Sequence, residues 1–126
     1  MKIQRFEEII AWQKAQDLAV DVYHAFSESK DFGFKDQIQR ASVSVSNNIA
    51  EGFDRFSDRE FVRFLYIALA SCSEVKSMLY LAVRLGKLTP DLQETLLAQS
   101  NEISKIIRGL IKSLTTNYPT TKKTID

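Results

Sequence analysis

The chain has 126 residues, 44% hydrophobic and 26% charged, with only four glycines and two prolines, which suits one globular core and excludes both a disordered chain and a turn-rich all-β fold. Seventeen basic residues against sixteen acidic ones leave a net charge of +1, short of the basic excess of a dedicated nucleic-acid binder. One cysteine excludes an internal disulfide, no uninterrupted apolar run reaches the ~18 residues of a membrane span, and acidic residues interrupt MKIQRFEEII as a signal peptide, so a cytoplasmic protein without a membrane partner is expected.

The first helix is predicted from about Glu7 to Ser27. Phe6, Ile9, Trp12, Ala15, Leu18, Ala19, Val22 and Phe26 recur at three- and four-residue steps and build one apolar stripe. The polar segment SESKDFG then reads as a loop.

A second helix follows from about Phe34 to Gly52, with Phe34, Ile38, Ala41, Val45, Ile49 and Gly52 on its stripe. SVSVSNN is a poor helix former and alternates like a strand. The flanking residues keep the helical period and no partner strand lies nearby, so a helix held by packing is the reading. Beside the stripe, Gln37, Arg40, Ser44, Asn48 and Glu51 step 3-4-4-3 along one narrow row. Polar groups next to a core face must find partners. An interhelical network that specifies register is expected, with Glu74 of the third helix opposing Arg40. A ligand or RNA contact by Arg40, Asn47 and Asn48 is the alternative.

After a turn at Phe53–Phe56, Ser57-Asp58-Arg59-Glu60 has the spacing of a capping box. The third helix runs to about Leu85, where Gly86 caps it. Phe61, Leu65, Ala68, Cys72, Val75, Leu79 and Ala82 form a seam with two apolar positions per heptad. Ile67, Met78, Leu81 and Leu85 lie on one flank of that seam, and Val62, Leu69, Tyr80 and Val83 on the other. One stripe suffices for a bundle core, so the two flanks read as unusually deep burial or as an oligomer contact; the second is favoured, with Ile67, Met78, Leu81 and Leu85 as its candidate residues. Arg55, Arg59 and Arg63 form an i, i+4, i+8 row diluted by Asp54, Asp58 and Glu60. It reads as a salt-bridged solvated face or as a phosphate-contacting rim.

Thr89-Pro90 opens the last helix, whose stripe runs from Leu92 to Leu114. Four helices with short connections make an all-α, antiparallel, up-down-up-down four-helix bundle. It spans residues 1–118, with 119–126 as a frayed tail.

His24 and Cys72 are the only histidine and cysteine. No metal set, phosphate loop or nucleophile–base pair surrounds either, so no catalytic, metal or cofactor residue and no small-molecule substrate is expected. Cys72 falls on the core seam and reads as a small buried hydrophobe.

Phe6…Trp12-Gln13-Lys14-Ala15…Leu18…Tyr23, the block from Gln37 through NNIAEG to Phe53, and Arg55, Ser57 and Phe61…Phe64-Leu65 together resemble the four-helix bundle protein family of the 23S ribosomal RNA intervening-sequence type. The resemblance runs from about Phe6 to Leu114. It implies a bundle that assembles into a ring, typically a pentamer. Some members are encoded within inserts in ribosomal RNA genes, and relatives act as nucleic-acid-binding accessory proteins of diversity-generating retroelements. It implies no catalytic role. Where the family commonly has Gly-Ser in the third helix this chain has Ala70-Ser71, which implies a slightly wider helix contact there. The leading expectation is therefore a non-enzymatic homo-oligomeric scaffold or accessory protein. The alternative is a ring-shaped RNA- or DNA-binding accessory protein.

Overall fold

The computed structural model describes residues 3–116; the 119–126 tail expectation lies outside them. Among the described residues there are four α-helices, α1 (Ile10–Ala25), α2 (Phe32–Phe53), α3 (Asp58–Arg84) and α4 (Pro90–Thr115), and a 3₁₀ turn at Phe6–Glu8. Each helix packs on its neighbours in the order α1, α2, α3, α4 and back to α1, and the backbones of the diagonal pairs stay apart.

Cross-helix bonds give the orientation. Gln37 meets Glu74 and Ser44 meets Ser71, so residue numbers rise on α2 as they fall on α3. The same reversal relates α3 to α4 through Leu79 with Gln93 and Lys76 with Ser104. It relates α1 to α4 through Lys14 with Glu102 and Asp21 with Gln99. Neighbours are antiparallel, as connections this short require.

Local chemistry sets the helix borders. α1 starts at Ile10 rather than Glu7, because Ile9 is extended (φ −77°, ψ 120°) and buries its side chain in the core. The Gln13 side-chain amide donates to the Glu7 carbonyl at 2.8 Å, and Phe6 packs edge-on against Trp12. Together they hold the 3₁₀ turn against the helix. α2 starts earlier than its stripe suggests, because Asp31 accepts from the Phe34 amide and caps it. The second Asp31 oxygen meets Lys87 at 3.1 Å and ties the first loop to the third. The Phe34 amide and then Lys87 hold the Asp31 carboxyl below its ordinary pKa.

Ser57 accepts from the Glu60 amide at 3.2 Å, which is half of the capping box. The Glu60 carboxylate turns to Arg63 at 3.1 Å instead of back to Ser57. α3 ends in a Schellman motif: Lys87 donates to the Ala82 carbonyl and Gly86 to Val83, with Gly86 at φ 73°. Thr89 caps α4 by accepting from the Leu92 amide.

SVSVSNN lies wholly within α2. Ser42 and Ser46 are buried there, and each hydroxyl donates to a carbonyl three residues back. Back-bonding gives each hydroxyl proton an acceptor on its own helix, and Ser46 Oγ also accepts from the Gln16 side-chain amide of α1 at 3.0 Å. Packing of Ile38, Val45 and Ile49 then outweighs weak propensity. α3 is long and apolar enough to cross a membrane by length and composition, which a count of uninterrupted apolar residues does not register. Its seam, from Phe61 to Ala82, is buried in the bundle.

Candidate functional site

The polar row of α2 divides in two. Ser44 Oγ lies 2.9 Å from Ser71 Oγ, Asn48 donates to both the Ser44 carbonyl and its hydroxyl, and Gln37 donates to Glu74 at 3.2 Å. Arg40 does not meet Glu74. It donates to Asp36 on its own helix at 2.8 Å, with 80% of its side chain exposed. Glu51 is exposed as well. Helical geometry explains the split: Arg40 and Glu51 lie roughly 40–60° round α2 from the mean direction of the other three. Gln37 and Ser44 therefore join α2 to α3, Asn48 braces Ser44 from the same helix, and Arg40 and Glu51 face outward. Arg40, Asn47, Asn48 and Glu51 line a shallow depression of about 320 Å³ together with Tyr23 and Val43.

Where the row ends, α2 and α3 come very close. A Cβ added at Gly52 would stand 2.5 Å from Phe64 Cβ and 3.1 Å from the Phe61 ring. Phe53 packs edge-on against Phe61 beside this contact. The Phe64 ring is covered by two guanidinium groups, Arg55 at 4.6 Å and Arg63 at 4.8 Å from its centroid. Arg63 also bonds Glu60, whose carboxyl is held below its ordinary pKa by that contact. Two members of the arginine row thus clasp Phe64, while Arg59 is exposed between them in sequence. Phe56, in the turn beside the row, is wholly exposed.

The flank of α3 is redrawn by the structure. Ile67, Leu81 and Leu85 are exposed, but Met78 is only 7% exposed and belongs to the core, as do Val62 and Leu69. α3 packs on both α2 and α4, so its buried arc is wider than one heptad seam. The outer face that remains is Tyr66, Ile67, Ala70, Ser73, Glu74, Ser77, Tyr80 and Leu81, all exposed, with Glu74 as its one charge and bonded to Gln37. Tyr66 at 55% and Tyr80 at 58% are its most exposed large residues. Ala70 points outward, so it sets no helix spacing inside the bundle; Ser71 makes that contact, through Ser44.

Cys72 is buried. Its thiol donates to the Ser100 carbonyl and accepts from Ser104, both at 3.3 Å. Burial pushes its pKa up, so it is a neutral thiol in the α3–α4 seam. His24 is exposed on α1, and no three His, Cys, Asp or Glu side chains come together among the described residues.

Sequence reasoning misses Ser71 and the outward position of Tyr66. It also misses the exposed Val20 and Tyr23 of α1, which line a second depression of about 330 Å³ with Ala19 and Val43. The fourteen-residue spacing from Tyr66 to Tyr80, close to four helical turns, is the signal that could have found the α3 pair.

The family model described as 23S rRNA-intervening sequence protein matches residues 7–109. The chain belongs to that family. The match includes the polar row, Gly52, the arginine row and all of α3. A crystal structure of a protein with unknown function from the S23 ribosomal protein family of Bacteroides thetaiotaomicron VPI-5482 is 29% identical, with a TM-score of 0.78. The alignment covers 82% of this chain and 99% of that one. Comparison with curated proteins finds no match.

Proposed function

We propose that the protein is a non-enzymatic scaffold or accessory protein that works as a homo-oligomeric ring, in the cytoplasm, with the outer face of α3 as a subunit contact. The observation that carries this reading is the set of large apolar and aromatic residues on the outer face of α3, Tyr66, Ile67, Tyr80 and Leu81, which the bundle itself leaves uncovered. Membership of the 23S rRNA-intervening sequence family supports a ring, and the family resemblance points to five copies. A non-enzymatic role is supported by the separation of His24, exposed on α1, from Cys72, buried on α3.

Light scattering coupled to size exclusion tests this at micromolar concentration. The expected mass is near five times the 14.4 kDa of one chain. The double variant Ile67→Asp/Leu81→Asp is expected to run as a folded monomer, because two carboxylates would be desolvated in the contact. A wild-type protein that is strictly monomeric would sink the proposal.

A second reading, an RNA- or DNA-binding accessory protein, rests on a different observation. The wholly exposed Phe56 ring stands next to Arg55 and near Arg59. An aromatic face beside guanidinium groups can stack a base and contact phosphate. Filter binding of single-stranded RNA is expected at low salt, weakening as salt rises and falling several-fold in Phe56→Ala. Absence of retention even at low salt rules this reading out.

A further inference from the structure

We infer that a single-stranded nucleic acid runs along the C-terminal half of α4, with its phosphates on Lys112, Arg108 and Lys105 and one amino-bearing base in the cavity between the α2–α3 turn and the end of α4. It rests on the RNA- or DNA-binding reading above and adds the path of the strand and the base it seats.

Charge carries the path. Residues 103–116 contain no acidic side chain, whereas Lys105, Arg108 and Lys112 recur at steps of three and four and are all exposed. Among the described residues none of the three makes an ion pair. Glu102, just before this stretch, meets Lys14 of α1, and Glu60 of α3 meets Arg63. Lys112 lies in the last turn, where a cation offsets the helix dipole. Arg108 and Lys105 stand one and two turns earlier, beyond that effect, so the row carries more charge than the helix end calls for. At 1.5 Å per residue it is about 10 Å long, the length of about three stacked nucleotides.

The cavity continues the row. Its volume is about 310 Å³, and Ser113 and Leu114, next after Lys112, help to line it. That is the small end of the ~300–1,000 Å³ usual for ligand pockets, room for one planar ring. Phe56 and Phe61 also line it, and an aromatic face stacks a base of any kind. Its charged lining residues are Arg55 and Asp58. Arg55 lies over the Phe64 ring, and Asp54 and Asp58 flank the turn. A phosphate there would meet two carboxylates, so the uncharged base belongs in the cavity and the phosphates on α4.

Asp58 also sets which base. It already has a partner within the fold, but a carboxylate offers about four acceptor positions. Cytosine N4 donates to a carboxylate, whereas the O4 of uracil only accepts. Cytosine is therefore preferred to uracil.

Fluorescence anisotropy of labelled oligo(C) and oligo(U) tests both parts, with strands of about six nucleotides so that one copy is contacted. Wild type is expected to hold oligo(C) several-fold more tightly. It should lose about 20-fold in affinity between about 50 and 200 mM salt, the loss for three phosphates of a single strand. Lys105→Gln/Arg108→Gln/Lys112→Gln, verified as folded by circular dichroism, is expected to lose about tenfold at low salt, with most of the salt dependence, and to keep its preference for oligo(C). Asp58→Asn, verified likewise, should keep the salt dependence and hold both strands equally. If the triple variant binds like wild type, the strand does not follow α4, although the nucleic-acid reading stands. Equal binding of both strands by wild type overturns the base in the cavity. A wild type that binds neither strand at low salt overturns the nucleic-acid reading and this inference with it; sedimentation with phosphatidylserine vesicles would then show the row to face lipid instead.

Discussion

Gly52→Ala is expected to destabilise the fold by about 1–3 kcal/mol, the usual cost of forcing one extra methyl into a packed contact. The added Cβ would meet Phe64 Cβ at 2.5 Å and the Phe61 carbonyl oxygen at 3.3 Å. Neither is the far end of a flexible side chain, so α2 and α3 must move apart. Alanine is a better helix former than glycine, by about 1 kcal/mol at most, and Gly52 stands one residue from the end of α2, where that gain is smallest. Sterics therefore win. Gly109→Ala provides the control, because Gly109 is exposed inside α4 with nothing within 4 Å of the added Cβ. That variant is expected to gain about 0.5–1 kcal/mol. Thermal unfolding monitored by circular dichroism should thus show opposite shifts, with Gly52→Ala melting several degrees lower at ~4 °C per kcal/mol. Equal melting of Gly52→Ala and wild type would mean that the close crossing is unimportant.

Leu65→Ala should cost still more, about 2–5 kcal/mol, out of a total near 5–15 kcal/mol for a domain of this kind. Leu65 is wholly buried on the seam of α3, the helix that packs on both α2 and α4. Truncation leaves a cavity that two flanking helices cannot both close. Leu81→Ala removes the same atoms from the same helix, but Leu81 is 45% exposed. Its effect on the bundle should stay within about 0.5 kcal/mol, with the loss falling on assembly. Denaturation at several protein concentrations separates the two. Leu65→Ala should lower the midpoint at every concentration, whereas Leu81→Ala should chiefly reduce its concentration dependence. A large loss from Leu81→Ala at the lowest concentration would move that residue from the subunit contact into the fold.

The segment from Gln37 to Phe53 thus has a physical reading. Its small residues let α2 lie close to α3: Ser44 reaches Ser71, and Gly52 admits Phe61 and Phe64. Its buried serines donate to their own backbone, and Ser46 also accepts from Gln16 of α1. Its outward residues, Arg40, Asn47 and Glu51, line the surface depression instead.

Much of the fold can be read from residue order alone. Periodicity identifies four helices, and Ser57, Gly86 and Thr89-Pro90 mark three of their ends, because caps and stripes depend on residues within one or two turns of each other. The family follows from the same local blocks. Local pattern fails where two helices decide the outcome. Met78 reads as surface from α3 alone, and it is buried because α3 has two neighbours. Arg40 reads as a partner for Glu74, yet the few tens of degrees between it and Gln37 send it to Asp36. The depression between α1 and α2 leaves no mark in either helix, since Val20 and Tyr23 on one and Val43 on the other line it together. One-dimensional periodicity reports which face of a helix is apolar. The tertiary arrangement determines how wide an arc its neighbours cover, and so which apolar residues remain for another copy.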